Sequence, residues 1–132
     1  MAMEEELLSR QMPQSLEAEQ AVLGSILIDS RCVADVIGLL RPEDFYLQQN
    51  REIYEAIYTM FNFSQTIDPV TVLDKMRETG VYHDKSRDYI MQLMEITPTA
   101  ANVVRYAGIV RDKAMLRGLG EAGTDIRSEE VV

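Results

Sequence analysis

One cysteine, Cys32, and one histidine, His83, are all that the sequence offers toward disulfide or soft-metal chemistry. A disulfide scaffold is therefore excluded, and a zinc site built from this chain alone lacks the donors it needs. No apolar run approaches the ~20 residues that span a bilayer, so no membrane association is expected. The opening Met1-Ala-Met-Glu-Glu-Glu has neither the basic nor the apolar stretch of a secretory leader, and the chain reads as soluble and cytoplasmic. Basic residues are scarce: 13 Lys and Arg face 22 Asp and Glu, a net charge of −9. Lys and Arg grip phosphate backbones by displacing counterions, so this balance argues against a nucleic-acid grip. The sequence also lacks alternating strand patterns, Asn-Gly hairpin signals and the G-x-x-x-x-G-K-[ST] phosphate cradle.

What is present describes a helical protein. With 132 residues, 46% hydrophobic and 27% charged, the chain has the length and composition of one globular domain. Residues 1–14 carry no sustained periodicity and read as a flexible tail. Ser15 is a natural N-cap, with Glu17 and Glu19 near the positive end of the helix dipole. Val22, Leu23, Ile26 and Leu27 give a helix over 15–28 its apolar face. Asp29-Ser30 caps a second helix carrying Val33, Val36, Ile37 and Leu40, which Pro42 ends by disfavouring helical conformation at Arg41. A third helix, 48–62, aligns Ile53, Ile57 and Phe61. Asp68-Pro69 is the clearest start signal, a cap followed by proline at the first helical position, and Gly80 is the matching stop. Ser86 caps a helix with Tyr89, Ile90, Leu93 and Met94 inward. Thr97-Pro98 repeats the cap-plus-proline signature ahead of a long helix over 98–117. Thr124-Asp125 reads as a turn, with a further helix beginning at Arg127.

Charge is spread unevenly along this frame: −9 over residues 1–100, +3 over 101–118 and −3 over 119–132. Arg105, Arg111, Lys113 and Arg117 read as a solvated helix face. Gly118-Leu-Gly-Glu-Ala-Gly123 matches the dinucleotide pattern G-x-G-x-x-G letter for letter. It follows a helical stretch instead of a strand, and the acidic ribose ligand due about 20 residues on falls beyond residue 132. His83 lies in a polar turn without a nucleophile beside it, and Cys32 abuts Val33 as a small helix residue. Carboxylate pairs such as Glu43-Asp44 fall on connectors. Val103, Ala107, Val110 and Ala114 form an apolar stripe that one helix cannot bury alone. From the residues themselves, this is a helical interaction domain without chemistry of its own. The competing class is a helix-turn-helix DNA reader, which needs a basic recognition helix where the basic segment here is long and glycine-interrupted.

Five stretches stand in a recognisable order: Pro13-Gln-Ser-Leu-Glu-Ala-Glu-Gln-Ala-Val-Leu-Gly24, Pro42-Glu-Asp-Phe-Tyr46, Asn50-Arg-Glu-Ile-Tyr54, Ile67-Asp-Pro-Val-Thr-Val-Leu73, and Thr97-Pro-Thr-Ala-Ala-Asn102 followed by Tyr106-Ala-Gly-Ile-Val-Arg111. Together, over residues 12–112, they resemble the N-terminal domain of the bacterial and phage replicative DNA helicase, the DnaB family.

The resemblance implies an all-α fold: a compact bundle of about five helices over 15–97, then a partial, truncated helical hairpin over 98–132. It implies the N-terminal collar of a hexameric ring whose subunits pair through hairpins, and docking of the helicase-binding domain of primase. In that family ATP and Mg act in a C-terminal domain, so no cofactor, metal or catalytic residue is expected in this chain. DNA is met only through the full-length ring, and a helicase loader is a further partner of phage members. Primase contacts carried over from the family fall on Tyr89 and, in the hairpin, on Ile126. Gly120 stands where a large aliphatic residue is usual, which shifts the expectation to its neighbour Leu119. Ser86-Arg87-Asp88 replaces a Gly-Gly ahead of the tyrosine. The stripe Val103, Ala107, Val110 and Ala114 becomes the expected subunit interface, left short of its usual cover. The 132-residue chain is expected to be a monomer or weak dimer and not a hexamer.

Overall fold

The computed structural model describes the backbone of residues 12–131 and the side chains of residues 12–118. Among the described residues the fold is all-α, six α-helices and two short 3-10 turns with no strand. Helix α1 (Leu16–Ile28) starts at Ser15, whose hydroxyl accepts from the Ala18 amide at 3.2 Å. The helices over 48–62, 86–95 and 103–131 all pack on α1, so its buried residues, among them Ala18, Val22, Leu23, Ile26 and Leu27, run round most of the cylinder, leaving a narrow edge at Glu17 and Ala21. A helix packed on most of its circumference has to be apolar nearly all round. It is the axis of the bundle.

The second helix is much shorter than its apolar residues suggest. Asp29 caps a 3-10 turn, Ser30–Cys32, and α2 (Val33–Val36) lasts one turn. Gly38 weakens a continuation, and the Tyr54 hydroxyl takes the Leu40 carbonyl at 2.9 Å. Val33, Val36 and Leu40 are buried all the same. A second 3-10 turn, Pro42–Asp44, is held by the Asp44 carboxylate, which accepts from the Arg41 amide at 2.8 Å. It delivers Phe45 to the core, where its ring lies 4.7 Å from that of Tyr54. Helix α3 (Gln48–Asn62) buries Ile53, Tyr54, Ile57 and Met60, while Phe61, expected inward, is 37% exposed. Helix α4 (Pro69–Glu78) has the expected start, made reciprocal: Asp68 accepts from the Thr71 amide at 2.8 Å, and the Thr71 hydroxyl accepts from the Asp68 amide at 2.9 Å. Gly80, at φ +80°, closes it in a conformation that side chains resist.

Two expected caps do other work. Ser86 is the first residue of α5 (Ser86–Glu95), not its cap, and its buried hydroxyl accepts from the His83 amide at 3.0 Å. Thr97 is buried against α1 and turns back, donating to the Leu93 carbonyl at 2.7 Å. The reason is Gly24: a Cβ there would sit 1.9 Å from the Thr97 hydroxyl oxygen and 2.6 Å from the Leu93 carbonyl, so α1 and the end of α5 meet at nearly backbone distance. Helix α6 (Val103–Val131) consequently begins at Val103 and not at Pro98. It also runs on through Gly118, Gly120, Gly123 and the expected turn at Thr124-Asp125 without starting a second helix. Each glycine costs about 1 kcal/mol relative to alanine, which lowers helix stability without forcing a break.

The stripe on α6 requires the largest correction. Val103, Ala107 and Val110 are 3%, 0% and 1% exposed and belong to the same core as α1 and α3. The core does not stop at residue 97. The stripe is covered within the chain, by α1 and α2, so no neighbouring subunit is needed to bury it.

Candidate functional site around Tyr89

The most unusual arrangement in the interior is a carboxylate. Glu19 is 1% exposed on α1 and meets three N–H donors: the backbone amides of Tyr46 at 2.7 Å and Leu47 at 3.3 Å, and the Asn50 side-chain amide at 3.0 Å. Leu47 is the N-cap of α3 and supplies no side-chain cap. Glu19 therefore caps α3 from another helix, a favourable place for a carboxylate at the positive end of the dipole. Glu19 stands in the first turn of its own helix, as expected, and serves the start of α3 as well.

From Glu19 the polar chain runs outward. Asn50, fully buried, accepts through Oδ1 from the Tyr89 hydroxyl on α5, and Gln20 Nε2 lies 3.5 Å from the same phenol oxygen. Tyr89 is half-buried at the surface end. Burial raises its pKa above the usual phenol value, Gln20 opposes that by hydrogen bonding, the Glu19 charge adds to it, and the Asn50 hydrogen bond again opposes it. Gln20 also lines a surface cleft of 380 Å³ of mixed character, where Ala21, Ile96, Pro98 and Tyr106 alternate with Glu17, Thr97, Thr99 and Asn102. Ile96 is 50% exposed there.

A second set of contacts fixes the connector that Glu19 caps. Arg51 donates to the carbonyls of Phe45 and Tyr46, both at 3.3 Å. Arg117 of α6 donates to the Pro13 carbonyl at 2.8 Å and the Asp44 carbonyl at 2.6 Å, with its guanidinium 5.3 Å from the Tyr46 ring centre. Arg117 is thus an anchor, not part of a solvated face. Ala114, the last residue of the expected stripe, is half-buried beside it in a cleft of 410 Å³.

Of the residues expected to meet primase, Tyr89 occupies a built surface site, whereas the side chains of Leu119 and Ile126 lie outside the described residues. The sequence does not point to the partners of Tyr89, Gln20 and Asn50, and it places Glu19, which lies behind Asn50, only at the dipole of its own helix. Their signal was available: Glu19 lies three and four residues before Val22 and Leu23, and Asn50 three and four before Ile53 and Tyr54, so each is a polar residue on a core stripe. Burial, with the charges of Asp29 and Asp35, pushes the Cys32 thiol up to about 11, far from a reactive thiolate. Gly118 to Gly123 lie inside a helix, so they do not form the strand-to-helix turn that a dinucleotide needs. Among the described residues no group of three or more His, Cys, Asp or Glu gathers as metal donors, and no helix is long and apolar enough to cross a membrane.

Comparison with known proteins gives a consistent result. The family model described as DnaB-like helicase N terminal domain matches residues 11–112. The replicative DNA helicase DnaB of Mycobacterium leprae is 42% identical over 118 residues, 89% of this chain and 20% of that protein. The DnaB of Geobacillus stearothermophilus is 36% identical over 126 residues, 94% of this chain and 28% of that protein. The chain therefore spans between a fifth and three-tenths of these relatives. The crystal structure of the N-terminal domain of DnaB helicase from Mycobacterium tuberculosis superposes with a TM-score of 0.81 at 40% identity, covering 89% of this chain and 84% of that one. The N-terminal domain of the Helicobacter pylori DnaB helicase, described with its interactions with primase, shares the fold at a TM-score of 0.69 and 21% identity, covering 87% and 90%.

Proposed function

Because the chain belongs to the family of DnaB-like helicase N-terminal domains, we propose that it is the collar of a replicative helicase and docks the helicase-binding domain of primase around Tyr89. What carries this reading is the Tyr89 site itself: a half-exposed aromatic, tied by hydrogen bonds to α1 and α3, whose partner Gln20 also lines a surface cleft of mixed polar and apolar residues. Aromatic anchors of this kind dominate protein interfaces because they bury much area at little conformational cost. The family resemblance adds Leu119 and Ile126 as further primase contacts. Self-association belongs to other residues than the buried stripe. The outward side of α6, with Val104, Met115 and Leu116 each at least half exposed, is the surface through which dimers and, in the whole protein, a hexamer form. In that whole protein, ATP and Mg act in a separate domain, DNA is held by the ring, the location is cytoplasmic, and a helicase loader is a further partner.

The test is calorimetric titration with the helicase-binding domain of a mycobacterial primase. The wild-type chain should bind, and Tyr89→Ala should weaken binding at least tenfold, about what loss of one aromatic anchor removes. Equal binding by the two proteins, or none by the wild type, overturns the reading.

A further inference from the structure

We propose that Asn50 is a positioning residue for this docking site, and that it makes the Tyr89 hydroxyl an acceptor towards the partner; the inference rests on the docking role of Tyr89 just proposed. The argument follows what each group is able to give. The amides of Tyr46 and Leu47 can only donate, so each oxygen of Glu19 already accepts a backbone hydrogen bond. The third contact on that carboxylate comes from the NH2 of Asn50. With its NH2 turned to Glu19, Asn50 must present its carbonyl oxygen to Tyr89. A carbonyl oxygen only accepts, so the single proton of the phenol is committed inward. Gln20 then donates to the phenol oxygen from the flank.

What remains for a partner is the ring and one lone pair. A partner group able to donate, such as an arginine, lysine or amide N–H, completes the hydrogen bonding of Tyr89. A partner carboxylate meets an oxygen with no proton to give and is disfavoured. The net charge of the chain, −9, agrees with a partner that brings basic groups; at the start of α5 the exposed Asp84 and Asp88 are balanced by Lys85 and Arg87. The inferred occupant is therefore the donor-bearing, basic surface of the docking domain. Asn50 itself never reaches that surface, being fully buried.

The experiment is a double-mutant cycle on the full chain, again titrated with the mycobacterial primase domain. Tyr89→Phe keeps the ring and loses the acceptor, and Asn50→Ala keeps the hydroxyl and loses its orientation. Each should weaken binding about fivefold, the range of one net hydrogen bond, and the double variant should lose little more than either. The ring resonances of Tyr89 should shift in free Asn50→Ala, a sign that does not depend on any partner. If Asn50→Ala does not fold, Gln20→Ala, at a half-exposed position, takes its place in the cycle with about a twofold loss. Unchanged affinity for the Asn50 and Gln20 variants, or losses that simply add, overturns this inference while leaving Tyr89 as the docking residue. Absence of binding by the wild type instead removes the docking reading, and this inference with it.

Discussion

Helices α1 and α6 lie against one another in the bundle, yet their neighbours make them opposite kinds of helix. α1 is packed by α3, α5 and α6 on all but the edge at Glu17 and Ala21, and two of its polar residues, Glu19 and Ser25, are buried. Each has its hydrogen bonds inside the protein: Glu19 caps α3, and the Ser25 hydroxyl donates to the Ala21 carbonyl at 2.6 Å. α6 buries only one stripe, Val103, Ala107 and Val110, and leaves Val104, Met115 and Leu116 to solvent. A surface helix tolerates substitution wherever it faces water, whereas one packed on most of its circumference tolerates it at few positions. The difference also separates two kinds of apolar residue that look alike in sequence: those that hold the domain together and those left over for a partner.

The sharpest way to break this contrast is a charge placed on each side of α6. Val110→Glu puts a carboxylate into the core without a donor or a counter-charge, which should cost ~4 kcal/mol or more and unfold most of the chain, given total stabilities of about 5–15 kcal/mol. Val104→Glu, six residues earlier and 50% exposed, should change stability by less than ~0.5 kcal/mol. Urea denaturation followed by circular dichroism separates the two. Similar midpoints for both variants would mean that the stripe is not core.

The next comparison uses one substitution on both helices. Gly24→Ala on α1 gains helix propensity but drives a methyl against the Thr97 side chain and the Leu93 carbonyl, and the net cost should be ~2 kcal/mol. Gly108→Ala on α6 meets no atom within 4 Å and should stabilise by up to ~1 kcal/mol. Thermal unfolding should therefore move in opposite directions. A rise in Tm for Gly24→Ala would show that α1 and α5 can part without penalty.

How much of this was legible beforehand depends on whether a residue acts on its own helix or on another. Ser15, Asp68-Pro69 and Gly80 act locally, and each does what its type and position imply. Ser86 and Thr97 have hydroxyls equally able to bond forward or backward, and burial against other elements decides the direction. The α6 stripe shows that a face needs cover, but periodicity along one helix cannot say whether the cover is α1 or a second subunit. Of the site, Tyr89 entered through family resemblance, and its supports stayed hidden because a lone polar residue on a stripe is easily passed over as noise. Glu19 and Asn50 show that two such exceptions, on two helices, can be each other's explanation.

The smallest expected effect lies where α6 leaves the body. Arg117 continues the buried stripe by position, but what it brings to the body is a guanidinium that bridges the Pro13 and Asp44 carbonyls across the Tyr46 ring. Hydrogen bonds to a charged donor contribute about 1.5–3 kcal/mol when dry, and part of that is lost to water at a half-exposed site. Arg117→Ala should therefore destabilise by only ~1 kcal/mol. Arg117→Lys should recover less than half of it, because an ammonium is a point donor and cannot span two carbonyls with the fixed fork of a guanidinium. The loss should be local: hydrogen exchange should quicken at the α6 amides around 111–117 and in the 42–46 connector, with the α1 and α3 amides unchanged. Uniform acceleration throughout the protein would place Arg117 among the residues that hold the core. No acceleration at all would mean that the stripe alone fixes α6 on the body.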